Sequence, residues 1–251
     1  MNEEATYNKL NARRDFIKRH VGKPGSILEI GALNAPVFSG NANVKYADRL
    51  TTEELAAQYP HKANIKRVDY VLTRPAFGAL IPETFQLAIA NHVIQQVPDL
   101  INWFDQLGSV VVPGGWAFLA VPDKRYTSDI VRPLTTLADL IDCAHRELTA
   151  PSVGQIFSHL YLHHKVATKD LWEGKRVDAA RPRMEVAKAV RTALAMSEGY
   201  HSVHCHVFTD DSFSHLMEDL YQAALVDWVV HAREKPQRGS NEFLVMLRRS
   251  R

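Results

Sequence analysis

Cysteine is nearly absent from this chain of 251 residues, which has only Cys143 and Cys205. Two cysteines cannot form a disulfide framework, and such low usage fits a reducing compartment. Neither sign of charge dominates, since 30 Lys and Arg stand against 28 Asp and Glu for a net charge of +2. Binding to nucleic acid needs clustered basic residues that neutralise phosphates, so this balance disfavours a nucleic-acid partner.

Long apolar runs are missing as well. No segment approaches the ~18 to 20 apolar residues that are needed to span a bilayer, and the charged start MNEEATYNKLNARRDF lacks the apolar core of a signal peptide. We therefore expect a cytoplasmic protein with no membrane partner. The hydrophobic content of 46% is ample for one large α/β domain, or for a domain with a sizeable insertion.

Short apolar strands alternate with helices along the chain. The pattern predicts strands at 27–30, 43–47, 65–71, 86–91 and 116–122 and helices at 3–20, 51–60 and 100–107. The strand at 116–122 is almost continuously apolar, which is typical of a strand covered by helices on both faces. Near the C-terminal end, a helix at 211–225 precedes VDWVVHARE and NEFLVMLRR, which the short loop KPQRGS makes an antiparallel pair of strands.

The most informative strand end is the run SILEIGALNAP at 26–36. It brings Glu29 and Gly31 to a turn where a ligand can approach the backbone closely. About twenty residues further on, Asp48 ends the second strand, where a carboxylate can accept hydrogen bonds from both hydroxyls of a ribose. Any α/β protein needs glycine at tight turns, but the spacing to Asp48 indicates a ligand that contains a nucleoside.

Three further segments support one family by their order: VDYV at 68–71, FQLAIANHVIQQVPD at 85–99 and VVPGGWAFLAVPD at 111–123. Over roughly its first 123 residues, and again at its C-terminal end, the chain resembles the class I S-adenosylmethionine-dependent methyltransferases. The stretch EIGALN keeps the acid and the first glycine of the family's first motif and has Leu33 at the second glycine. The stretch HVIQQV has Gln95 and Gln96 where many relatives have an acid and a histidine.

The resemblance implies an α/β fold with a Rossmann-like, doubly wound sheet of seven strands, mostly parallel with an antiparallel last strand. Residues 1–123 and 211–251 would form the cofactor-binding core. Residues 124–210 are too long for a plain connection. We interpret them as a largely helical insertion that forms a lid over the acceptor site and includes a flexible basic stretch from Lys175 to Arg191.

The resemblance also implies S-adenosyl-L-methionine as the cofactor. Glu29 and Gly31 would lie under its methionine moiety and Asp48 would bind the ribose. Asp69, together with Tyr70, would face the adenine, although a role as a turn or cap residue is open for Asp69.

The reactive methyl group would lie near Asn91 and His92, which follow the fourth strand. An imidazole titrates near neutrality, so His92 could act as a general base. It could equally pack against the cofactor through its ring.

The segment DKRYTSD at 123–129 resembles a DKRYTFD stretch of some bacterial members of the family. Asp123 could orient the acceptor as a catalytic residue, and Lys124 or Arg125 could hold an anionic group of the acceptor. Tyr126 could supply an apolar wall. Alternatively, ion pairs in this segment lock the insertion to the sheet, and Tyr126 packs in the insertion's own core.

Seven of the twelve histidines lie in the insertion. His159 and His163 share a face of a predicted helix, and His204 and His206 share a face of an extended segment. Converging imidazoles could bind zinc or iron, but no carboxylate motif or cysteine pair joins them, so we predict no metal. We expect His204 or His206 to act as a base and His163 to contact the acceptor.

The predicted function is methyl transfer from S-adenosylmethionine to an oxygen or nitrogen of a small-molecule acceptor. Two other classes stay open. One is a protein that binds the cofactor without transferring its methyl group, or an enzyme that uses the cofactor's sulfonium chemistry on another bond. The other is an NAD-dependent oxidoreductase, whose motif has three glycines where EIGALN has one. The insertion could also form the surface of a homodimer.

Overall fold

The computed structural model describes residues 3–40, 43–73, 75–178 and 183–250. Within them, seven strands form one sheet: β1 (Ile27–Ile30), β2 (Val44–Asp48), β3 (Tyr70–Val71), β4 (Phe85–Asn91), β5 (Val111–Pro122), β6 (Trp228–Glu234) and β7 (Glu242–Arg249). The α-helices of these residues are α1 (Glu3–Val21), α2 (Thr52–Gln58), α3 (Leu100–Val110), α4 (Leu137–His145), α5 (Val153–Leu162), α6 (Thr168–Trp172), α7 (Val186–Ala195) and α8 (Asp210–Gln222).

The strands follow the spatial order β3-β2-β1-β4-β5-β7-β6. Strands β1 to β5 run parallel, whereas β7 pairs antiparallel with both β5 and β6. The predicted seven-stranded Rossmann-like sheet and its antiparallel closing pair are thereby confirmed. Because the parallel strands all end at one edge, the residues that follow β1, β2 and β4 meet there.

The core fills both faces of this sheet. In β4, Leu87 and Ile89 pack in the cluster that contains α1, while Ala88 and Ala90 pack in the cluster that contains α3 and α8. Successive side chains of a strand point to opposite faces, so the apolar run of β4 needs a helical layer on each side. The sheet therefore holds its strand ends on a rigid base.

Two strands differ from the predicted lengths. Strand β3 has only two residues, although the pattern predicted a strand over 65–71. Strand β5 begins at Val111 rather than Trp116, and its pairing with β4 shifts register between Phe85 and Leu87. The sequence PGG lies in this irregular part, where a Cβ on Gly115 would stand 2.7 Å from the carbonyl oxygen of Val112. Glycine is required there because the backbones approach too closely for a side chain.

The segment 124–210 contains α4 to α7, and a small cluster of Ile156, Ala193, Val203 and Cys205 forms a core within it. The helical character predicted for this segment is confirmed, while its role as a lid stays a prediction. The expectation of a flexible stretch from Lys175 to Arg191 is wrong for its last part, since α7 begins at Val186; residues 179–182 lie outside the described residues. Among the described residues, no helix combines the length and the apolarity needed to cross a membrane.

Candidate active site

A cleft of about 510 Å³ opens at the carboxyl ends of β1, β2 and β4. Gly31, Asp48, Asn91 and His92 all line it, and all four were predicted from the sequence. Its size lies within the range of about 300 to 1,000 Å³ that is usual for sites of small molecules and cofactors. The strand ends therefore form one hollow in which a single ligand could touch all four residues.

The loop after β1 brings backbone to the wall of this cleft. Gly31 has a φ of +72°, and a Cβ there would stand 2.9 Å from Cγ2 of Val93. Leu33, at the position of the missing second glycine, also lies in the left-handed region with a φ of +47°. A left-handed conformation costs a residue with a side chain about 1 to 2 kcal/mol. The chain thus keeps the backbone shape of the motif without its second glycine.

Glu29 supports that loop from below. Its carboxylate is fully buried and accepts hydrogen bonds from the N–H of Val37 at 2.8 and 3.1 Å and from Nδ2 of Asn91 at 3.3 Å. Burial raises the pKa of Glu29 to about 7, although the N–H groups of Val37 and Phe38 oppose this. Glu29 is not among the residues that line the cleft. The predicted contact with the cofactor is corrected to an indirect role, because the side chain points into the base of the loop.

Asn91 leaves one polar atom for a ligand. Its Oδ1 is buried and has no hydrogen-bond partner among the described residues. A buried carbonyl oxygen without a donor is costly, and a ligand ammonium or amide in the cleft would satisfy it.

Asp48 stands across the cleft at the end of β2, where burial raises the pKa of its carboxyl group. The next residue, Arg49, places its guanidinium 4.0 Å from the ring centre of Tyr200. The hydroxyl of Tyr200 donates to the carbonyl of Gln96 at 3.2 Å. Tyr200 and Ser202 come from the insertion and line the cleft too. The insertion therefore contributes directly to the wall beside Asp48.

Asp69 and Tyr70 are not among the residues that line this cleft, so the structure does not bring them together with the other predicted cofactor residues. Oδ2 of the exposed Asp69 accepts the backbone N–H of Tyr46 at 2.9 Å, and the hydroxyl of Tyr70 bonds the carboxylate of Glu83. The physical reason is that β3 lies at the edge of the sheet and pairs over only two residues, which leaves the N–H of Tyr46, in the middle of β2, to the carboxylate of Asp69. The cleft is lined instead by Leu72 and Thr73, just beyond β3.

His92 belongs to a buried network that the sequence did not reveal. Its Nε2 lies 2.6 Å from Oε2 of Glu242, the first residue of β7. Arg13 of α1 donates to both oxygens of the same carboxylate, at 2.9 and 2.7 Å. Burial alone would raise the pKa of Glu242, but the contacts with His92 and Arg13 outweigh it and lower that pKa well below its usual range. Burial lowers the pKa of His92, against the opposing effect of Glu242.

His92 also has an uncommon backbone conformation, with a φ of +55°. The two glutamines of HVIQQV hold it, since Gln95 donates its Nε2 to the carbonyl of His92 at 2.7 Å and Gln96 does so at 3.3 Å. The carbonyl of Gln95 in turn accepts the N–H of Cys205 at 2.6 Å. Oε1 of Gln96 also accepts the hydroxyl of Ser202 at 2.7 Å, so this side chain tethers the insertion to the end of β4.

The segment DKRYTSD forms ion pairs rather than an acceptor pocket. Asp123 is fully buried and receives Nε and Nη2 of Arg125 at 2.9 and 2.6 Å, and Arg125 also bonds Asp210 at the start of α8. The ammonium of Lys124 bonds the carbonyl of Arg132. None of Asp123, Lys124 and Arg125 lines the cleft, and the ion pairs match the alternative interpretation from the sequence, in which this segment fixes the insertion to the sheet.

Tyr126 stacks on Trp172, with ring centres 3.8 Å apart and planes 3° from parallel. Its ring is thus engaged within the insertion and does not line the cleft. The alternative interpretation from the sequence, packing in the insertion's own core, is the one that the structure supports.

Three of the insertion's histidines gather around a carboxylate. Asp129 contacts Nδ1 of His204 at 2.5 Å and lies 3.5 Å from Nδ1 of His163, and the ring of His159 lies beside that of His163, tilted by 45°. The prediction of no metal relied on the absence of a carboxylate motif next to these histidines in the sequence. In the folded chain the carboxylate of Asp129 lies beside His163 and His204. Burial lowers the pKa of His159 to about 3.

His206 does not join this group, so its predicted shared face with His204 is contradicted. It is buried beside Phe208, and burial lowers its pKa to about 4. The segment 201–207 has no regular strand geometry, and strict alternation of side chains does not apply to it. His206 lines neither described cavity, which removes it as a candidate base. His163 and His204 do line a second cavity of about 140 Å³, which His92 also borders.

The family model for a methyltransferase domain matches residues 8–220 of the chain. The match covers most of the chain, so the chain belongs to this family of methyltransferases. The predicted family and enzyme class, S-adenosylmethionine-dependent methyltransferase, are confirmed, and S-adenosylmethionine is the cofactor of that class. None of the curated proteins matches the sequence.

Solved structures of similar proteins are distant. The chain is 10% identical to the mitomycin 7-O-methyltransferase MmcR (TM-score 0.44), with 96% of this chain covered and about half of MmcR, 54%. It is 10% identical to the N-methyltransferase NodS of Bradyrhizobium japonicum (TM-score 0.46), with 100% of both chains covered. It is 13% identical to a protein of Rhodobacter sphaeroides described as a Zn-dependent alcohol dehydrogenase (TM-score 0.48; 95% of this chain and 90% of the other covered). The family assignment depends on the domain match and not on these similarities.

Proposed function

We propose that the chain transfers a methyl group from S-adenosylmethionine to an oxygen or nitrogen atom of a small-molecule acceptor in the 510 Å³ cleft. The observation that carries this proposal is that Gly31, Asp48 and His92, from three different strand ends, border the same cleft. In this proposal Asp48 binds the ribose of the cofactor and Gly31 lets the cofactor lie close to the backbone. His92 receives the proton that the acceptor loses.

The residues of the cleft fit the cofactor's parts. Asp48 offers carboxylate oxygens to the ribose hydroxyls, and Gly31 leaves room that a side chain would fill. The unpaired Oδ1 of Asn91 suits the ammonium of the methionine moiety. With Asp69 elsewhere, Leu72 and Phe77 supply apolar surface on which a purine ring can lie.

The cofactor supplies a methyl group on a sulfonium, and the protein supplies alignment and a proton acceptor. Arg13 keeps Glu242 ionised, so Glu242 accepts the Nε2–H of His92. That bond fixes the tautomer and leaves Nδ1 of His92 as the proton acceptor. His92 would take the proton of an acceptor hydroxyl or amine while the lone pair of the acceptor's oxygen or nitrogen atom is aligned with the methyl carbon. Alignment in a cleft walled by the insertion supplies most of the remaining acceleration.

A small acceptor is supported by the insertion's contribution to the wall, where Tyr200 and Ser202 narrow the access beside Asp48. A cytoplasmic location is supported by the two cysteines, Cys143 and Cys205, which are both free and buried. We include the absence of nucleic-acid and membrane partners in the proposal on the ground of the balanced charge.

Calorimetric titration with S-adenosylhomocysteine tests the cofactor site. We expect one equivalent to bind the wild-type protein, and Asp48→Ala to weaken binding at least about tenfold, because it removes charge-assisted hydrogen bonds worth about 1.5 to 3 kcal/mol. Asp69→Asn is the matched control, since its carboxylate lies outside the cleft, and it should bind like the wild type. Equal affinity of Asp48→Ala, or a preference of the wild type for NAD, would contradict the proposal.

Methyl transfer itself is tested by mass spectrometry. Incubation with S-adenosylmethionine and a panel of hydroxyl- and amine-bearing metabolites should yield S-adenosylhomocysteine together with one compound heavier by a methyl group. Cofactor binding with no methylated product across the panel, or cleavage of the cofactor into other fragments, would favour the second class, a cofactor-binding protein or another sulfonium chemistry.

A further inference from the structure

The insertion contains a group of four side chains that could hold a cation: Asp129, His159, His163 and His204. One ligand atom from each lies within 4.8 Å of every other, in a site that is half-buried to buried. The ring centres of His159 and His163 are 4.5 Å apart, and that of His204 lies 5.5 Å from His159. Three imidazoles and a carboxylate thus face a common point.

The three imidazoles are not needed to neutralise the charge of Asp129. Arg132, which is only 2% exposed, donates Nη1 to Oδ1 of Asp129 at 2.9 Å and so already pairs its charge. Arg132 also donates Nη2 to the carbonyl of His204 at 2.8 Å. Nδ1 of His163 is buried and lies 3.5 Å from Oδ1 of Asp129, but it makes no hydrogen bond of normal geometry with the described residues. A lone pair or N–H left unpaired beside a carboxylate calls for a further partner.

We propose that Asp129, His159, His163 and His204 form a binding site for one divalent transition-metal ion, best suited to Zn²⁺. Imidazole nitrogens and a carboxylate oxygen are ligands that Zn²⁺ accepts in tetrahedral sites, and neutral imidazoles also suit other late first-row ions. Arg132 acts outside the ligands, where it orients Asp129 and the backbone of His204, as outer-shell partners of metal sites commonly do.

The geometry requires a modest contraction. Bonds of about 2.0 to 2.1 Å in a tetrahedron place ligand atoms about 3.4 Å apart, whereas the ligand atoms here lie within 4.8 Å of one another. Since Oδ1 of Asp129 is occupied by Arg132, Oδ2 is the oxygen left for the ion. The ion would replace the proton between this Oδ2 and Nδ1 of His204. Coordination through Nδ1 of His159 would also replace its long contact, 3.2 Å, with the N–H of His204.

Access is available from the second cavity, which His163 and His204 line together with Thr127 and Ser128. His92 borders the same cavity and the main cleft. An ion at this site would therefore adjoin the wall of the cleft without occupying the proposed cofactor site, and the metal proposal can fail while the methyltransferase proposal stands.

Titration of tag-free protein with ZnSO₄ tests the site, after treatment with a chelator and exchange into chelator-free buffer. We expect one equivalent to bind, and Co²⁺ in its place to give the intense visible bands of a four-coordinate ion. His163→Gln and His204→Gln should each weaken Zn²⁺ binding at least about 100-fold, because loss of an outer-shell partner alone costs about 10- to 100-fold. His145→Gln, which changes an exposed histidine at the end of α4, should bind like the wild type.

Binding of less than one equivalent, or unchanged affinity in His163→Gln, overturns the proposal. If the variants fail to fold, X-ray absorption of the zinc-loaded wild type decides instead. A shell of three imidazoles and one oxygen supports the site, whereas a shell of six oxygens refutes it.

Discussion

Glu29 gives the sharpest prediction about stability. Its carboxyl group is 0% exposed, and burial raises its pKa from 4.5 to about 7. The folded protein therefore holds a proton between these two values that the unfolded chain releases. Replacement by glutamine, Glu29→Gln, keeps an acceptor for the N–H of Val37 but removes this proton equilibrium.

The sign follows from the proton count. A group whose pKa is raised on folding favours the folded state at low pH and loses that advantage as the pH rises from about 4.5 to about 7. At about 1.4 kcal/mol for each pH decade, the whole effect is about 3 kcal/mol, most of which falls between pH 5 and pH 8. The free energy of unfolding of the wild type, relative to that of Glu29→Gln, should fall by this amount across that interval.

Urea unfolding of both proteins at pH 5, 6, 7 and 8 measures the difference directly. The half-buried His159 and the buried His206, whose pKa values are lowered to about 3 and about 4, make stability rise with pH towards 6.5. Both proteins share these histidines, so their effects cancel in the comparison. Glu198→Gln, at an exposed position, should track the wild type at every pH. Parallel curves for the wild type and Glu29→Gln would show that Glu29 is ionised throughout and would refute the reasoning.

Two further predictions concern the cleft. Glu242→Gln, which changes the partner of His92, should lower kcat for methyl transfer by about 10² or more, since a general base contributes about 10²- to 10⁴-fold. The Kd for S-adenosylhomocysteine should stay near the wild-type value. A parallel loss of cofactor affinity would contradict the role of His92. Gly31→Ala should lower both stability and cofactor affinity, because its φ of +72° and the Val93 methyl at 2.9 Å both oppose a Cβ. Gly22→Ala is the control, because Gly22 has a φ of +73° but a Cβ there would have no neighbour within 4 Å. Urea unfolding of this variant should therefore show only the conformational cost, a loss of about 1 to 2 kcal/mol in the free energy of unfolding.

Much of the fold could be predicted because the signals are local. Each strand of the parallel part is a short apolar run followed by a turn, and the two faces of β4 are visible in its alternating Leu87, Ala88, Ile89 and Ala90. The positions of Gly31, Asp48 and His92 in one cleft follow from a rule of topology, since parallel strands end at the same edge. These predictions need only the order of elements and no knowledge of side-chain orientation.

Side-chain orientation is where prediction from the sequence failed. Asp69 follows the family's order, yet its carboxylate turns to the N–H of Tyr46 because the edge strand is too short to direct it into the cleft. Glu242 and Arg13 are 229 residues apart, and no local pattern links them. A charged residue directly before the apolar run FLVML of β7 was the one signal that could have drawn attention to Glu242.

The two departures from the family pattern have a common physical meaning. Leu33 keeps the left-handed backbone that a glycine would adopt more cheaply, and its side chain lines the cleft. Gln95 and Gln96 hold the strained backbone of His92 and bind the insertion through their carbonyl oxygens. An acid and a histidine at those positions would add a charge where Cys205 and Tyr200 now dock. The altered motifs therefore keep the strand ends in place and connect them to the insertion, whose Tyr200 and Ser202 line the cleft.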